Sequence, residues 1–306
     1  MNLKQLTYFV KIVEAQSMTR AAEGLHIAQP ALSQQITLLE DELGVKLLNR
    51  SSRGIQPTPQ GELLYRHART ILRQLDNTRI LLAKKEGDVS GNVSLGMPSS
   101  TARMLALRLM RLVKERHPAI VLEIVDVPSA DLTSLVAHGR VDFSLVPDPQ
   151  KPKDMDFVPL FREELYLMTT PGTIAGNHRV PLKKIAALPL ILPSLPNMLR
   201  SRLEHAFLKA SLTFNLFGEA STSAILIPAV RAGLAATILP YSSAHEEVGN
   251  GQVQMHAIEG GFGRDVYLCV SNTLPVSPAT NTVIDLCRAA LAELVGSGAW
   301  KGCRLL

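Results

Sequence analysis

The sequence predicts an α/β protein with an all-α N-terminal head: a winged helix-turn-helix, one long helix, and a larger domain of alternating strands and helices. Three observations carry this. Residues 17–50 hold two short helical stretches around a three-residue turn, with a cation-rich hairpin directly after them. Residues 64–82 place small or apolar side chains, with one Thr, at spacings of 4, 3, 4, 3 and 4. From residue 93 onward, short β-type runs alternate with helical ones across short loops, the order of a mostly parallel sheet.

The elements follow in order. Leu6, Phe9, Val10 and Val13 recur at helix spacing, so residues 3–15 form a first helix behind the helix-turn-helix. Ser17 is placed to cap a short helix over 18–25, in which Ala21 and Ala22 let a second helix cross closely. His26, Ile27 and Ala28 leave room only for a turn. A longer helix starts near Pro30, whose missing N–H costs nothing in a first turn, and stops at Gly44. Leu32, Ile36, Leu39 and Leu43 make its buried stripe.

The opposite face of that helix carries Gln29, Pro30, Gln34 and Thr37, with Ser33 on the flank; the acids Glu40, Asp41 and Glu42 come only at its far end. A solvated face usually mixes Lys and Glu. A face of Gln, Ser and Thr, which both donate and accept, suits base edges in a major groove. These five residues are the candidate base contacts; the competing reading is an ordinary helical hairpin. Residues 46–58, K-L-L-N-R-S-S-R-G-I-Q-P-T, contain three cations and no acid. They read as a β-hairpin wing that lays Arg50 and Arg53 on phosphates or in a minor groove.

The block A-A-E-x-L-H-x-A-Q-P-A-L-S-Q-Q-I-x-x-L-E-x-x-L-G-x-x-L-x-x-R, followed by R-G-x-x-P-T-P-Q-G, closely resembles the LysR-type transcriptional regulators. The resemblance is dense over residues 1–66 and continues more weakly as an order of elements. The opening M-N-L-K-Q-L-T-Y-F-V-K-I-V-E is similar to the branch that holds nitrogen-assimilation regulators.

Thr58 and Pro59 read as a cap and first helical residue of a long helix to about residue 86. Leu64, Ala68, Ile71, Leu75, Thr78 and Leu82 form its heptad-like seam. The seam could pack on the chain's own C-terminal domain. A dimer explains more, because it brings two reading heads to one DNA site. Residues 87–92, G-D-V-S-G-N, read as a hinge. Strands are then expected over 93–97, 121–127, 141–146, 165–169, 188–192, 213–218, 235–239 and 266–271, and helices over 102–116, 131–138, 198–209, 223–232 and 279–295. The tail beyond 295 reads as loosely packed, with Trp300 as its one anchor.

The resemblance implies a domain division of 1–58 for the DNA-binding head, 59–87 for the linker helix and 88–306 for a sensor. It also implies that the sensor is periplasmic-binding-protein-like, with subdomain I over about 92–161 and 266–306 and subdomain II over about 162–265. A homodimer through the linker, a homotetramer through the sensors and contact with RNA polymerase are implied with it.

Composition sets bounds. The chain has 306 residues, 46% hydrophobic and 19% charged, with net charge +5, which describes an ordinary folded protein. Residues 1–90 hold 12 cations against 9 acids, so charge supports nucleic-acid binding only where it clusters, as in the wing. Cys269, Cys287 and Cys303 are widely spaced and match no metal-ligand or redox motif, so free thiols in a reducing compartment are expected. The most apolar run, 185–195, contains two prolines and is far too short to span a membrane. A cytoplasmic protein without membrane contact or cofactor is expected.

No G-x-S-x-G, Walker loop, H-E-x-x-H or metal-spaced Cys/His cluster occurs, so nothing calls for an enzyme. Gly260, Gly261 and Gly263 flank Phe262 in what reads as a turn. The rival class is a small-molecule-binding protein or enzyme that keeps the helix-turn-helix only as an interaction module. Such a protein has no need of a cationic wing beside an uncharged helix face. The candidate effector contacts are hydroxyls at strand ends: Ser99, Ser100 and Thr101 after the first sensor strand, Ser129 after the second and Ser194 after 188–192. Helix starts there favour an anionic metabolite. The alternative is that each hydroxyl only caps its own helix or turn.

Overall fold

The computed structural model describes residues 1–51, 54–82, 89–176, 179–273 and 276–306. The chain divides near residue 87 into two units. In the first, α1 spans Leu3–Ala15 and opens with a capping box: Asn2 accepts from the Gln5 N–H while Gln5 accepts from the Asn2 N–H. Helix α2 spans Met18–Gly24, capped by the Ser17 side chain, and α3 spans Gln29–Leu43, ending at Gly44 in the left-handed conformation. Phe9, Ile12, Leu32, Ile36 and Leu39 are completely buried between the three helices. Leu43, expected to continue that stripe, is exposed. The reason lies one position beyond Leu39: Glu40 turns inward instead and ends the apolar face.

The wing is β1 (Leu48–Ser51) paired antiparallel with β2 (Gly54–Pro57), Leu48 opposite Pro57. Helix α4 spans Pro59–Leu82, and the Thr58 hydroxyl caps it by accepting from the Gly61 N–H at 3.0 Å. A Cβ at Gly61 would lie 2.0 Å from the Leu47 carbonyl oxygen, so only glycine lets α4 start this close to the wing.

The α4 stripe divides between two uses. Ala68 is completely buried against Leu6 and Val10 of α1 in the same chain, joined by Leu64, Tyr65 and Leu72. The first turns of the expected dimer seam are therefore head packing, because Leu64, Ala68 and Leu72 form a 4, 4 row facing α1. Ile71 is 41% exposed, Leu75 half-buried and Thr78 exposed. The Leu82 side chain, the expected end of the helix at about 86, and Gly87 and Asp88 of the expected hinge lie outside the described residues.

The second unit is a two-lobed α/β domain. Lobe I contains β3 (Gly91–Met97), α5 (Ser99–Arg116), β4 (Ile120–Asp126), α6 (Leu132–Ala137) and β5 (Phe143–Pro147). Strand β6 (Met155–Thr169) leads into lobe II, with α7 (Leu182–Ala186), β7 (Pro189–Pro193), α8 (Met198–Lys209), β8 (Asn215–Ala220), α9 (Ser223–Arg231) and β9 (Thr237–Pro240). A 3-10 turn (Tyr241–Ser243), α10 (His245–Gly249) and β10 (Gln254–Ala257) complete lobe II. The chain then returns through β11 (Gly263–Ser271) to α11 (Pro278–Gly296) and β12 (Cys303–Leu305).

The lobe I sheet runs β12-β6-β11-β5-β3-β4, with β3, β4 and β5 parallel. In lobe II, β10 and β9 pair with the second half of β6, and a parallel bridge from Leu190 to Ala236 ties β9 to the parallel pair β7-β8. Each lobe has its own core. The chain crosses at Glu164–Leu165, where pairing passes from β11 to β9, and returns at Phe262–Gly263.

Strand β6 begins ten residues earlier than its apolar run 165–169 suggests. Its first half holds Pro159 and four charged residues, yet it pairs along its length with β11 and, at Phe161–Glu163, also with β12. The register against β11 shifts at Leu160, next to Pro159, whose ring nitrogen has no hydrogen to donate. The C-terminal tail is also firmer than expected. Trp300 is 1% exposed, packs on Phe161 with ring centroids 5.1 Å apart and donates to Glu163 at 3.3 Å; β12 then pairs with β6.

Candidate functional site

Two regions carry the candidate residues. On the head, α3 exposes Gln29, Pro30, Gln34 and Thr37, with Ser33 half-buried on the flank. Thr37 turns its hydroxyl back to the Ser33 carbonyl, so its methyl group is the part left free to face a partner. Arg50, on β1, donates from Nη2 to the Ser33 hydroxyl at 3.2 Å. Wing and helix thus present one continuous polar surface. Arg53 lies outside the described residues.

Glu40 holds this surface in place. It is 7% exposed, and one carboxylate oxygen accepts from the backbone N–H groups of Leu47 and Leu48 at 2.8 and 3.2 Å. The other accepts from Lys46 Nζ at 2.7 Å. Burial pushes the carboxyl up, but the Lys46 bond and the two backbone donors outweigh it, and Glu40 sits below the usual carboxylate range. The strand that carries Arg50 is thereby pinned to the end of α3.

The second region is a cavity of about 240 Å³ between the lobes. It lies at the carboxyl ends of β3 and β4 from lobe I and of β7, β8 and β9 from lobe II. Ser99, Ser100 and Ser129 line it. Thr101 does not: it is completely buried one residue further into α5, and its hydroxyl has no hydrogen-bond partner among the described residues. Ser194 does not either; β7 delivers Pro193 to the lining and Asn197, the cap of α8, follows from the next turn. The α5 hydroxyls are not caps, since the capping position is Pro98, which makes no side-chain bond. Ser99 instead donates to Asp126 at 2.8 Å, and Ser100 accepts from Arg264 Nη2 at 2.8 Å.

Several lining residues were missed from sequence. Ser221, Thr222 and Ser223 enter from the end of β8, with Thr222 capping α9. The same signal that singled out Ser99–Thr101, hydroxyls between a strand and a helix, is present in E-A-S-T-S at 219–223. Asp126 and Arg264 are the acid and the cation of the lining. Arg264 is buried and reaches Glu163 through Nε at 2.7 Å and through Nη2. Glu163, 1% exposed, also accepts from Ser242 at 2.9 Å.

None of the three thiols lines the cavity. Burial pushes Cys269 up to about 11 and Cys287 and Cys303 up to about 12, so all stay protonated at neutral pH. No helix among the described residues is long and apolar enough to cross a membrane.

Comparison with known proteins fits both regions. Residues 3–62 match the family model of bacterial regulatory helix-turn-helix proteins of the lysR family, and residues 86–292 match that of the LysR substrate binding domain. The chain is 34% identical over 304 residues to the nitrogen assimilation regulatory protein nac of Escherichia coli K12, covering 96% of this chain and 97% of that one. Among solved structures, full-length CbnR complexed with its target DNA shares the fold at TM-score 0.71 and 22% identity, covering 95% of this chain and all of that one. A hydrogen-peroxide-bound OxyR mutant of Corynebacterium glutamicum has TM-score 0.62 and 25% identity, with 97% and 96% covered. With an N-terminal helix-turn-helix for DNA and a C-terminal substrate-binding domain, the chain belongs to the LysR family of transcriptional regulators.

Proposed function

We propose that this regulator reads its operator through Gln29, Pro30, Ser33, Gln34 and Thr37, with Arg50 and Arg53 on the backbone, and that a small anionic effector in the sensor cavity tunes it. The cavity carries the second half of this reading. It joins strand ends of both lobes and receives the starts of α8 and α9, whose first N–H groups lack intrahelical partners. Neither histidine nor cysteine lines it, so it offers hydrogen bonds without a nucleophile–base pair. The protein then acts as a binding switch in the cytoplasm, with no catalytic step. Homodimers form through the exposed part of α4 and pair into tetramers, and effector-biased rearrangement changes contact with RNA polymerase. An effector shifts such an equilibrium only through unequal affinity for the two arrangements.

The test uses the full-length chain, the DNA upstream of its own gene and a panel of small carboxylates. Retarded migration on that DNA, together with a carboxylate that raises the melting temperature and alters the complex, is the expected result. Binding of equal strength to random DNA, or no response to any carboxylate, overturns the corresponding half.

A further inference from the structure

The acid and the cation of the cavity are not equivalent. The charge of Arg264 is already met: its guanidinium faces the buried carboxylate of Glu163, and its remaining reach goes to Ser100. Asp126 is different. It ends β4, its carboxylate accepts from the Ser99 hydroxyl, and among the described residues no Lys, Arg or His pairs with it. The lobe I wall therefore carries a negative charge that no lining cation balances. That charge sits beside the start of α5, where it disfavours the anionic end of a ligand.

Lobe II faces it with the opposite character. Thr222 and Asn197 cap α9 and α8, and both helix starts reach the lining with Ser221 and Ser223. No acid lines the cavity on this side. The positive ends of two helices and a set of hydroxyls suit a carboxylate. At about 240 Å³ the space lies just below the roughly 300–1,000 Å³ usual for ligand pockets, so it suits a small ligand.

Resting on the reading of this cavity as the effector site, we propose that the effector is a zwitterion of the amino-acid class. Its carboxylate sits on the lobe II helix starts at Thr222 and Ser223, and its ammonium group pairs with Asp126. The ligand thus bridges the two lobes through opposite charges.

The test is calorimetric titration of the full-length protein with the standard amino acids and, in parallel, with the 2-oxo acid that corresponds to each. At least one amino acid should bind at least tenfold more tightly than its oxo acid. Asp126→Asn, at an exposed position where the fold tolerates it, should weaken the amino acid ten- to a hundredfold and leave the oxo acid unchanged or tighter. Ser221→Trp, which fills the cavity from an exposed lining position, should abolish both, with an unchanged melting curve as the control for folding. Equal affinity for the two series, no loss in Asp126→Asn, or no binding by any amino acid overturns the zwitterion. If oxo acids bind and Ser221→Trp abolishes them, the effector cavity itself stands. Binding that survives Ser221→Trp removes the cavity reading as well.

Discussion

Glu40 shows how one buried residue can fix a hairpin against a helix: its carboxylate holds Lys46 and the backbone of Leu47 and Leu48. Glu40→Gln keeps the shape but weakens three charge-assisted bonds, and the head should lose about 1–3 kcal/mol at pH 7. The folded carboxyl titrates below its unfolded value, so its contribution is complete above the unfolded value and is lost as pH falls through the folded one. Melting curves of both proteins should differ most near neutrality and converge in acid, below about pH 4; a constant gap would refute this. Gln34 presents the complementary case. It is exposed and has no hydrogen bond among the described residues, so its substitution should leave the fold alone. Gln34→Ala should weaken specific binding by about 1–3 kcal/mol and leave random DNA nearly unaffected. Equal losses on both DNAs would exclude base readout there. The sequence made Gln34 legible because helix period alone assigns its face. It hid Asp126 and Arg264, whose place in the cavity depends on β4 ending at Asp126 and on β11 pairing Arg264 opposite Glu163 across the crossing strand.

At the scale of elements, legibility followed how local the cause was. Caps and turn residues located α2, α3 and the start of α4 to within a residue or two. The first half of β6 was hidden, since charges and Pro159 argue against a strand and only flanking strands make it one. The tail misled in the same way: Gly296, Gly298 and Ser297 read as loose, while Trp300 locks them to lobe I. Helix α4 is the instructive mixture. Its 4, 3 spacing suggested one seam, yet Ala68 belongs to α1 and the outward portion begins at Ile71. At 41% exposed, Ile71 is open to a partner helix, as the proposed dimer requires. Ile71→Asp should therefore leave the head folded, abolish the dimer by placing a charge with no partner in its interface, and cost tight operator binding. Sedimentation would show monomers; an unchanged oligomer with normal operator affinity would rule out this part of α4 as the interface.

For the sensor as a whole, the decisive contacts are the arginine contacts that cross between the lobes. Arg103 on α5 donates to the Ser243 carbonyl at 2.7 Å and to both oxygens of Glu247 on α10, at 3.0 and 2.8 Å. Arg202 on α8 pairs with Asp148 at 2.9 Å and donates to the Gly263 carbonyl. One pair joins lobe I to lobe II through α5, the other lobe II to lobe I through α8, so both hold the lobes together in the arrangement that shapes the cavity. Each is partly shielded from water, and each should contribute about 1 kcal/mol, at the upper end for pairs near a surface. They share no partner, so their effects should add. Arg103→Ala with Arg202→Ala should lower the sensor's melting temperature. It should also weaken a responsive effector by more than either single change, because the competent arrangement is less populated. The amides of the 3-10 turn and α10 should exchange faster in Arg103→Ala, while those of α11, packed in the lobe I core, keep their protection. Arg202→Ala should spare the α10 amides, since its own contacts lie at Asp148 and Gly263. Uniformly faster exchange across both lobes would instead mean that these arginines support overall stability, and exchange unchanged at α10 would mean that Arg103 does not hold the lobes together.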